Sequence, residues 1–377
     1  MMGAVSVLGV LATYIQRSRK HLAVFVVVVL AAVSGLTTAV VALAAPGSVH
    51  YRVAEGFAWP GFLVGPMVIS PDGRTLYVTG TDSAGDNKPP YYWPYPKVVV
   101  PINAVSGASG KPIRIGGHGH PTALAITPDG KTLYVATWPS GAVIPISTAT
   151  GRPGKPVDAG RDPVHLAVSP DGKTLYVSSD LGTLTPIDTA TGRPGQPIHM
   201  GGDLETLAFG PDGSTLYVAR YPPPGGADSV VPVSTATGRP GKPILLGEPP
   251  EELVVAPNGK NLYVGSALVT GDDSAIIPVS TATGRPGNPI AVSDNLTGLT
   301  IAPDGSALYA TSMTPDGTGT VTSISTVTGT LGTPVLVGSQ PLGIVIAPDG
   351  GSLYTSAAMI SPPQVFTVTR VKLAGSR

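Results

Sequence analysis

A seven-residue phrase, Pro-Asp-Gly-x-x-Leu-Tyr with small changes, recurs seven times in this chain. The copies start at Pro71, Pro128, Pro170, Pro211, Pro257, Pro303 and Pro348, with spacings between 41 and 57 residues. A period of about 40 to 50 residues is typical of β-propellers and solenoids, in which each repeat is one supersecondary unit. The repeat therefore restricts the chain to a small set of ring-shaped or stacked folds.

One repeat contains four short strand patterns separated by turn sequences. In the second repeat the apolar and β-branched runs are 124–126, 132–136, 142–146 and 155–158. Pro-Asp-Gly separates the first two runs and has the composition of a tight hairpin loop. Thr-Ala-Thr-Gly-Arg-Pro-Gly separates the last two. Four antiparallel strands in about 40 residues form one propeller blade.

The last repeat lacks its outer strand, and a matching pattern lies before the first repeat at 48–56. We therefore predict an all-β fold over 48–377: a seven-bladed β-propeller of four-stranded antiparallel blades, closed by the N-terminal strand. Closure removes the exposed sheet edge between the first and last blades. The predicted repeats lie near 61–116, 120–160, 163–201, 204–247, 250–292, 296–338 and 341–372, with 48–56 completing the last.

The sequences that follow the Pro-Asp-Gly turns resemble those of a known repeat family. Leu-Tyr-Val-Thr-Gly at 76–80, Leu-Tyr-Val-Ala-Thr at 133–137 and Leu-Tyr-Val-Ser-Ser at 175–179 are similar to YVTN-type β-propeller repeats of bacterial and archaeal surface proteins. The resemblance covers roughly residues 48–377. It implies a propeller fold, and roles as different as ligand binding, surface-layer assembly, lactonase and quinoprotein-like activity.

Residues 1–45 have a different character. Arg17, Arg19 and Lys20 precede the uncharged segment 22–45, which has enough residues to cross a bilayer. These basic residues on the N-terminal side of the apolar segment predict that residues 1–21 stay in the cytoplasm and that the propeller lies outside it. We predict that 22–45 forms a helix that is either a signal peptide or a transmembrane anchor. Ala42-Leu43-Ala44 resembles a signal-peptidase site, whereas the apolar run is long for a signal peptide, so both interpretations stay open. Both predict an exported protein, membrane-anchored or secreted.

Composition narrows the function classes. The formal net charge is zero, which disfavours a nucleic-acid partner. The absence of cysteine excludes disulfides and thiolate metal sites. The sequence contains no phosphate-binding loop, nucleophile elbow or dinucleotide fingerprint, and we predict no cofactor.

Charges and aromatic residues divide unevenly between the two faces of the predicted disc. The face with the Pro-Asp-Gly turns carries eleven Lys and Arg against six turn aspartates, whereas the opposite face carries fifteen acids against four cations. All three tryptophans lie on the acidic face. Solubility and loop packing would explain single charges, but the segregation favours a recognition surface. The candidate binding residues are Trp59, Tyr91, Tyr92, Trp93, Tyr95, Trp138, Asp162, Asp203, Glu205, Glu251, Glu252 and Asp294.

The longest loop of the acidic face is the insertion 81–96 in the first repeat, which contains Tyr91, Tyr92, Trp93 and Tyr95. Loops of this length in a compact fold are usually functional or disordered. The aromatic rings would stack on sugars, peptides or cations. The alternative is a lid that packs on the second blade near Trp138.

Histidines near the predicted central opening suggest a different function. His118 and His120 lie in one connector, and His165 and Asp162 lie one blade further on. Imidazoles with carboxylates hold transition metals or act as general bases. The spacing matches no strong metal signature, so these histidines are weak metal candidates, and a solvated turn explains them equally well.

We therefore predict a non-catalytic exported propeller that acts as a binding or scaffold module at the cell surface through its acidic, aromatic loop face. Its expected partner is a protein, a glycan or a cationic ligand, and the membrane is contacted only through the N-terminal segment. The alternative is a propeller-type lactonase or lyase that uses the histidine and acid cluster at the channel mouth.

Overall fold

The structure of this protein is a computed structural model. It describes residues 27–28, 36–37, 40–41, 51–59, 62–81, 97–116, 119–222, 226–267, 274–292, 294–358 and 366–373, with backbone alone up to residue 64 and at residues 81, 267, 358 and 366. Within the segment 22–45, the described residues form β1 (Val27–Val28), β2 (Leu36–Thr37) and β3 (Val40–Val41). In the part of the chain described, no helix is long and apolar enough to span a membrane. Whether 22–45 is a signal or an anchor stays a prediction.

Seven antiparallel sheets of four main strands form the blades, as predicted from the repeat. Because β4 (Tyr51–Trp59) belongs to the last blade, blade 1 begins at β5. Blade 1 contains β5 (Phe62–Ile69), β6 (Thr75–Thr81), β7 (Lys97–Asn103) and β8 (Ile113–Arg114). Blade 2 contains β9 (Gly119–Ile126), β10 (Thr132–Pro139), β11 (Ala142–Ser147) and an outer strand in two pieces, β12 (Arg152–Pro153) and β13 (Val157–Asp158).

The remaining blades repeat this order. Blade 3 contains β14 (Pro163–Val168), β15 (Thr174–Ser179), β16 (Thr183–Asp188) and β17 (Ile198–His199), and blade 4 contains β18 (Asp203–Phe209), β19 (Thr215–Tyr221), β20 (Ser229–Ser234) and β21 (Ile244–Leu245). Blade 5 contains β22 (Pro250–Val255), β23 (Asn261–Ala267), β24 (Ser274–Ser280) and β25 (Ile290–Val292), and blade 6 contains β26 (Asn295–Ile301), β27 (Ala307–Met313), β28 (Thr318–Ser325) and β29 (Val335–Ser339). Blade 7 contains β30 (Pro341–Ile346), β31 (Ser352–Ala358) and β32 (Phe366–Leu373), followed in space by β4.

The outer strand of blade 7 comes from the N-terminal side of the ring. β4 pairs antiparallel with β32 from Tyr51 opposite Leu373 to Trp59 opposite Phe366. The prediction that 48–56 completes the last blade is confirmed, although the observed strand begins and ends three residues later, at Tyr51 and Trp59. β2 pairs with the outer edge of β4, and β1 pairs with β3.

Seven hydrophobic clusters lie between adjacent blades, one at each interface. The second-strand tyrosines are buried in them, as predicted for core residues. At the interface of blades 7 and 1, the Tyr354 hydroxyl donates to the Ala104 carbonyl at 2.8 Å. This contact joins residues from the two ends of the propeller.

The Pro-Asp-Gly turns form a second closed ring. In each turn the glycine has a positive φ, for example 71° at Gly73, and lies against the proline of the neighbouring blade. A Cβ at Gly73 would be 3.3 Å from Cδ of Pro348, and this contact links the first blade to the last. The seven contacts join Pro71 with Gly130, Pro128 with Gly172, Pro170 with Gly213, Pro211 with Gly259, Pro257 with Gly305, Pro303 with Gly350 and Pro348 with Gly73.

The third-strand prolines fit the sheet because they face the outer edge. The Pro145 carbonyl accepts a hydrogen bond from the Gly154 amide at 2.7 Å, at the gap between β12 and β13. Since N and O of one strand residue point to the same side, the missing N–H faces this gap and not β10. Pro186, Pro232 and Pro278 accept equivalent bonds from Gly195, Gly241 and Gly287.

Candidate functional site

The inner strand of every blade contains an irregularity at the same position. The register shifts between the first and second strands after residues equivalent to Pro163 in blade 3 and Pro250 in blade 5. The residues at the shift are 64–66 in blade 1, Glu205 and Thr206 in blade 4, and Thr122, Val164, Glu251, Thr297 and Leu342 in blades 2, 3, 5, 6 and 7. Bulges bend a strand and redirect its side chains. They therefore position Glu205 and Glu251 equivalently in neighbouring blades.

Hydrogen bonds between blades hold two of these bulges in place. The Thr122 hydroxyl donates to the Pro163 carbonyl at 2.8 Å, and the Ser178 hydroxyl donates to the Glu205 carbonyl at 2.8 Å. Each bond runs from one blade to the inner strand of the next. The backbone that carries Glu205 is thus fixed by blade 3 as well as by its own sheet.

Carboxylates from blades 3, 4 and 5 converge on this end of the propeller. Burial raises the pKa of Glu205, and Asp203, Asp180 and Glu251 raise it further by charge repulsion. Burial also raises the pKa of Asp180, with further contributions from Asp162 and Asp203. We name the set Asp162, Asp180, Asp203, Glu205 and Glu251 the acidic mouth. Four of its five members were predicted site residues.

Two residues at the acidic mouth were absent from the predicted site. Tyr221 pairs with Asp203, and burial followed by the charges of Glu251, Glu205 and Asp228 raises the pKa of its phenol. Asp180 carries a buried Oδ1 with no hydrogen-bond partner among the described residues. Each lies five positions after the leucine that begins the second-strand motif, Leu175 for Asp180 and Leu216 for Tyr221. Alignment of the repeats at that leucine would have shown that the two residues occupy equivalent positions.

Trp138 occupies the same position in blade 2 that Asp180 and Tyr221 occupy in blades 3 and 4. Trp138 is 45% exposed, although aromatic side chains of this size usually bury a large apolar area. Its ring lies 6.5 Å from that of His120, which it faces across the strand pair. An exposed indole thus stands one blade from the acidic mouth.

Glu252 is in a different environment from Glu251. Glu252 follows the bulge and is equivalent to His165, whereas Glu251, like Glu205, lies in the bulge itself. A Cβ at Gly265 would lie 2.3 Å from Leu296 Cδ2 and 3.1 Å from Glu252 Cβ, so the carboxylate stem packs between blades 5 and 6. Burial, followed by the Glu251 charge, raises the Glu252 pKa to about 8.

Gly265 makes this packing possible, and its replacement tests it. We expect Gly265→Ala to destabilise the protein by about 2 kcal/mol, because the new methyl group overlaps Leu296 in a packed interface. Gly343→Ala is the matched control, since a Cβ there meets nothing within 4 Å. Chemical denaturation of both variants measures the difference. Equal stabilities would contradict this description of the interface.

The described histidines have separate environments. Burial and the charge of Lys97 lower the pKa of His120. His165 lies opposite Ser178 within blade 3, its Nδ1 is buried without a partner among the described residues, and burial lowers its pKa to about 4. No group of three or more histidines and acids in the described part of the chain is arranged to hold one metal ion.

Some predicted site residues contribute to backbone geometry, and others lie outside the described residues. Asp162 and Asp294 precede the inner strands of blades 3 and 6 with φ angles of 51° and 72°, which aspartate tolerates better than most residues. Trp59 lies in β4, where only the backbone is described. Those outside the described residues are His118, Tyr91, Tyr92, Trp93 and Tyr95, so the aromatic loop stays a prediction.

Comparison with known proteins identifies the fold and no family. No family model matches the chain, and no curated protein is similar to it. Among solved structures, 1729 chains match. One is hydrazine synthase of Kuenenia stuttgartiensis, with 20% sequence identity over 79% of this chain and 94% of that chain and a TM-score of 0.65. Similarity at this identity shows the propeller fold alone. Membership of the YVTN-type family stays a prediction.

Proposed function

We propose that this protein is an exported, non-catalytic binding module of the YVTN type that captures a cationic ligand at the acidic mouth. The observation that carries the proposal is the convergence of carboxylates from three blades, with a phenol between them and an exposed indole one blade away. The propeller fold is compatible with such a role. The uncharged segment 22–45 supports export, and a membrane-anchored or secreted protein would act at the cell surface.

The electrostatics of the mouth favour a positively charged occupant. Like charges close together raise one another's pKa values, so the free site holds its negative charge at a free-energy cost. A bound cation removes that repulsion and gives the buried Asp180 Oδ1 a partner. Burial of an unsatisfied acceptor costs about 1–3 kcal/mol, which is then recovered as affinity.

The geometry favours an extended cation over a single ion. The described acids do not group closely enough to coordinate one metal ion. Carboxylates spread over three blades instead match a ligand with several separated amines or guanidinium groups, such as a basic peptide. Trp138 adds an aromatic face, on which a cation or an apolar segment of such a ligand would rest.

Titration calorimetry of the full-length protein with tetralysine tests the proposal. We expect binding that weakens about tenfold in Asp203→Asn/Glu205→Gln, because two charged contacts are lost. Binding should also release more protons as the pH is lowered, because the pKa values of Asp180 and Glu205 are raised in the free protein and a bound cation lowers them. Measurement in two buffers of different ionisation enthalpy counts those protons.

Asp129→Asn is the control, because Asp129 lies in a Pro-Asp-Gly turn on the opposite face. If Asp129→Asn weakened tetralysine binding equally, the effect would come from net charge alone, and the proposed binding site at the acidic mouth would be wrong. The lactonase or lyase alternative rests on His118, His120 and His165. The two described members have different environments, since Lys97 contributes to the lowered pKa of His120, whereas His165 is buried within blade 3 and burial alone lowers its pKa.

A further inference from the structure

The outer turns of four consecutive blades share one sequence. Thr-Ala-Thr-Gly-Arg-Pro-Gly occurs between the third and fourth strands of blades 2 to 5, starting at Thr148, Thr189, Thr235 and Thr281. The local structure of the turn explains most of this shared sequence. In blade 2 the Thr148 hydroxyl donates to the Gly130 carbonyl at 2.6 Å, Gly151 has a φ of 63°, and the Gly154 amide donates to the Pro145 carbonyl at 2.7 Å. None of these contacts uses the arginine side chain.

Blade 6 shows that the turn forms without arginine. Its sequence is Thr-Val-Thr-Gly-Thr-Leu-Gly, with Thr330 at the arginine position. The Thr326 hydroxyl still donates to the Gly305 carbonyl at 2.7 Å, and the Gly332 amide still donates to the Ser323 carbonyl at 2.8 Å. Gly329 has a φ of 70°. The fold therefore has no requirement for the arginines of the other blades.

The four arginines are exposed and form no ion pair with a described carboxylate. They are Arg152, Arg193, Arg239 and Arg285, and we name them the arginine arc. Two neighbouring lysines behave differently, since Lys131 and Lys173 pair with their own turn aspartates at 3.4 and 3.7 Å. The arginine arc thus presents four guanidinium groups in equivalent positions on contiguous blades, on the face opposite the acidic mouth.

We propose that the arginine arc binds a linear anionic polysaccharide. A guanidinium group donates two parallel hydrogen bonds to a carboxylate or sulfate, and repeated positions match a polymer with regularly spaced anions. A flat membrane would also meet the turn aspartates, which lie further in on the same face, whereas a polymer along the rim avoids them. Nucleic acid is disfavoured because the four turns contain no aromatic residue on which a base would stack.

The test measures binding of fluorescein-labelled heparin dodecasaccharide, a sulfated polysaccharide, to the full-length chain by fluorescence anisotropy. We expect Arg→Thr at all four positions to weaken binding about tenfold or more in 50 mM salt and to flatten its salt dependence, because fewer counterions are released. Thr is the residue that blade 6 already carries. Thr330→Arg, which extends the arc by one blade, should tighten binding about two- to threefold.

Arg193→Thr and Arg161→Thr form a matched pair, because both side chains are exposed and they lie on opposite faces. Only Arg193→Thr should weaken heparin binding. Equal loss from both variants, or no gain from Thr330→Arg, would overturn the proposal. Tighter arginine-dependent binding to duplex DNA or to phosphatidylglycerol vesicles than to heparin would assign the arc to a nucleic acid or to a membrane instead.

Discussion

Deletion of residues 51–59 is expected to abolish cooperative folding of the propeller. These nine residues form β4, which pairs along the whole length of β32. Without β4, one edge of the ring exposes the unpaired backbone of β32, next to Val368 and Val371, which are fully buried in two interblade clusters. We expect a loss of about 5 kcal/mol or more, comparable with the whole stability of many domains. An open edge strand also promotes aggregation.

Thermal unfolding with size-exclusion chromatography measures this loss, and a rearranged chain provides the control. Because Tyr51 lies opposite Leu373, residues 51–59 can be moved to the C-terminus as a hairpin that follows β32 through residues 374–377. This variant keeps every pairing of β4 with β32 and should recover most of the stability. Unchanged unfolding of the deletion variant would show that the ring is stable without β4.

Glu252→Gln is expected to make the protein more stable than the wild type in alkaline solution. Burial raises the pKa of this carboxyl from its ordinary value of 4.5 to about 8 in the folded protein, so the folded state favours the protonated form. The contribution of Glu252 to the free energy of unfolding therefore falls as the pH rises from about 4.5, and it is fully lost above about 8. The shift corresponds to roughly 5 kcal/mol. Glutamine imitates the protonated acid and removes this penalty.

The difference in unfolding free energy between variant and wild type, measured from pH 5 to pH 9, isolates this group from others. His165, with its pKa lowered to about 4, weakens the fold as the pH falls below its ordinary value, but it does so in both proteins. Glu251→Gln is the comparison variant, because burial raises the pKa of Glu251 less than that of Glu252, and its effect should be smaller. Parallel curves for Glu252→Gln and wild type would show that Glu252 ionises freely.

Much of the candidate site could be located from the sequence, but its chemistry could not. The acids Asp203, Glu205 and Glu251 were found because propeller topology assigns every loop to one of two faces. Asp180 and Tyr221 were not selected, because the repeats carry different residues at that position. The separation of Glu252 from Glu251 depends on a bulge whose location no turn residue marks.

The sequence by itself determined the seven blades, because each Pro-Asp-Gly turn and each β-branched run acts through contacts a few residues apart. It also determined that β4 would complete blade 7, since only one unpaired strand pattern was available. The tertiary structure alone decided which carboxylates share an electrostatic field and which is enclosed between blades. It also decided that the proline of one turn packs on the glycine of the next. These properties depend on how side chains of different strands and blades come together in space, and the local sequence pattern contains no information about those distances.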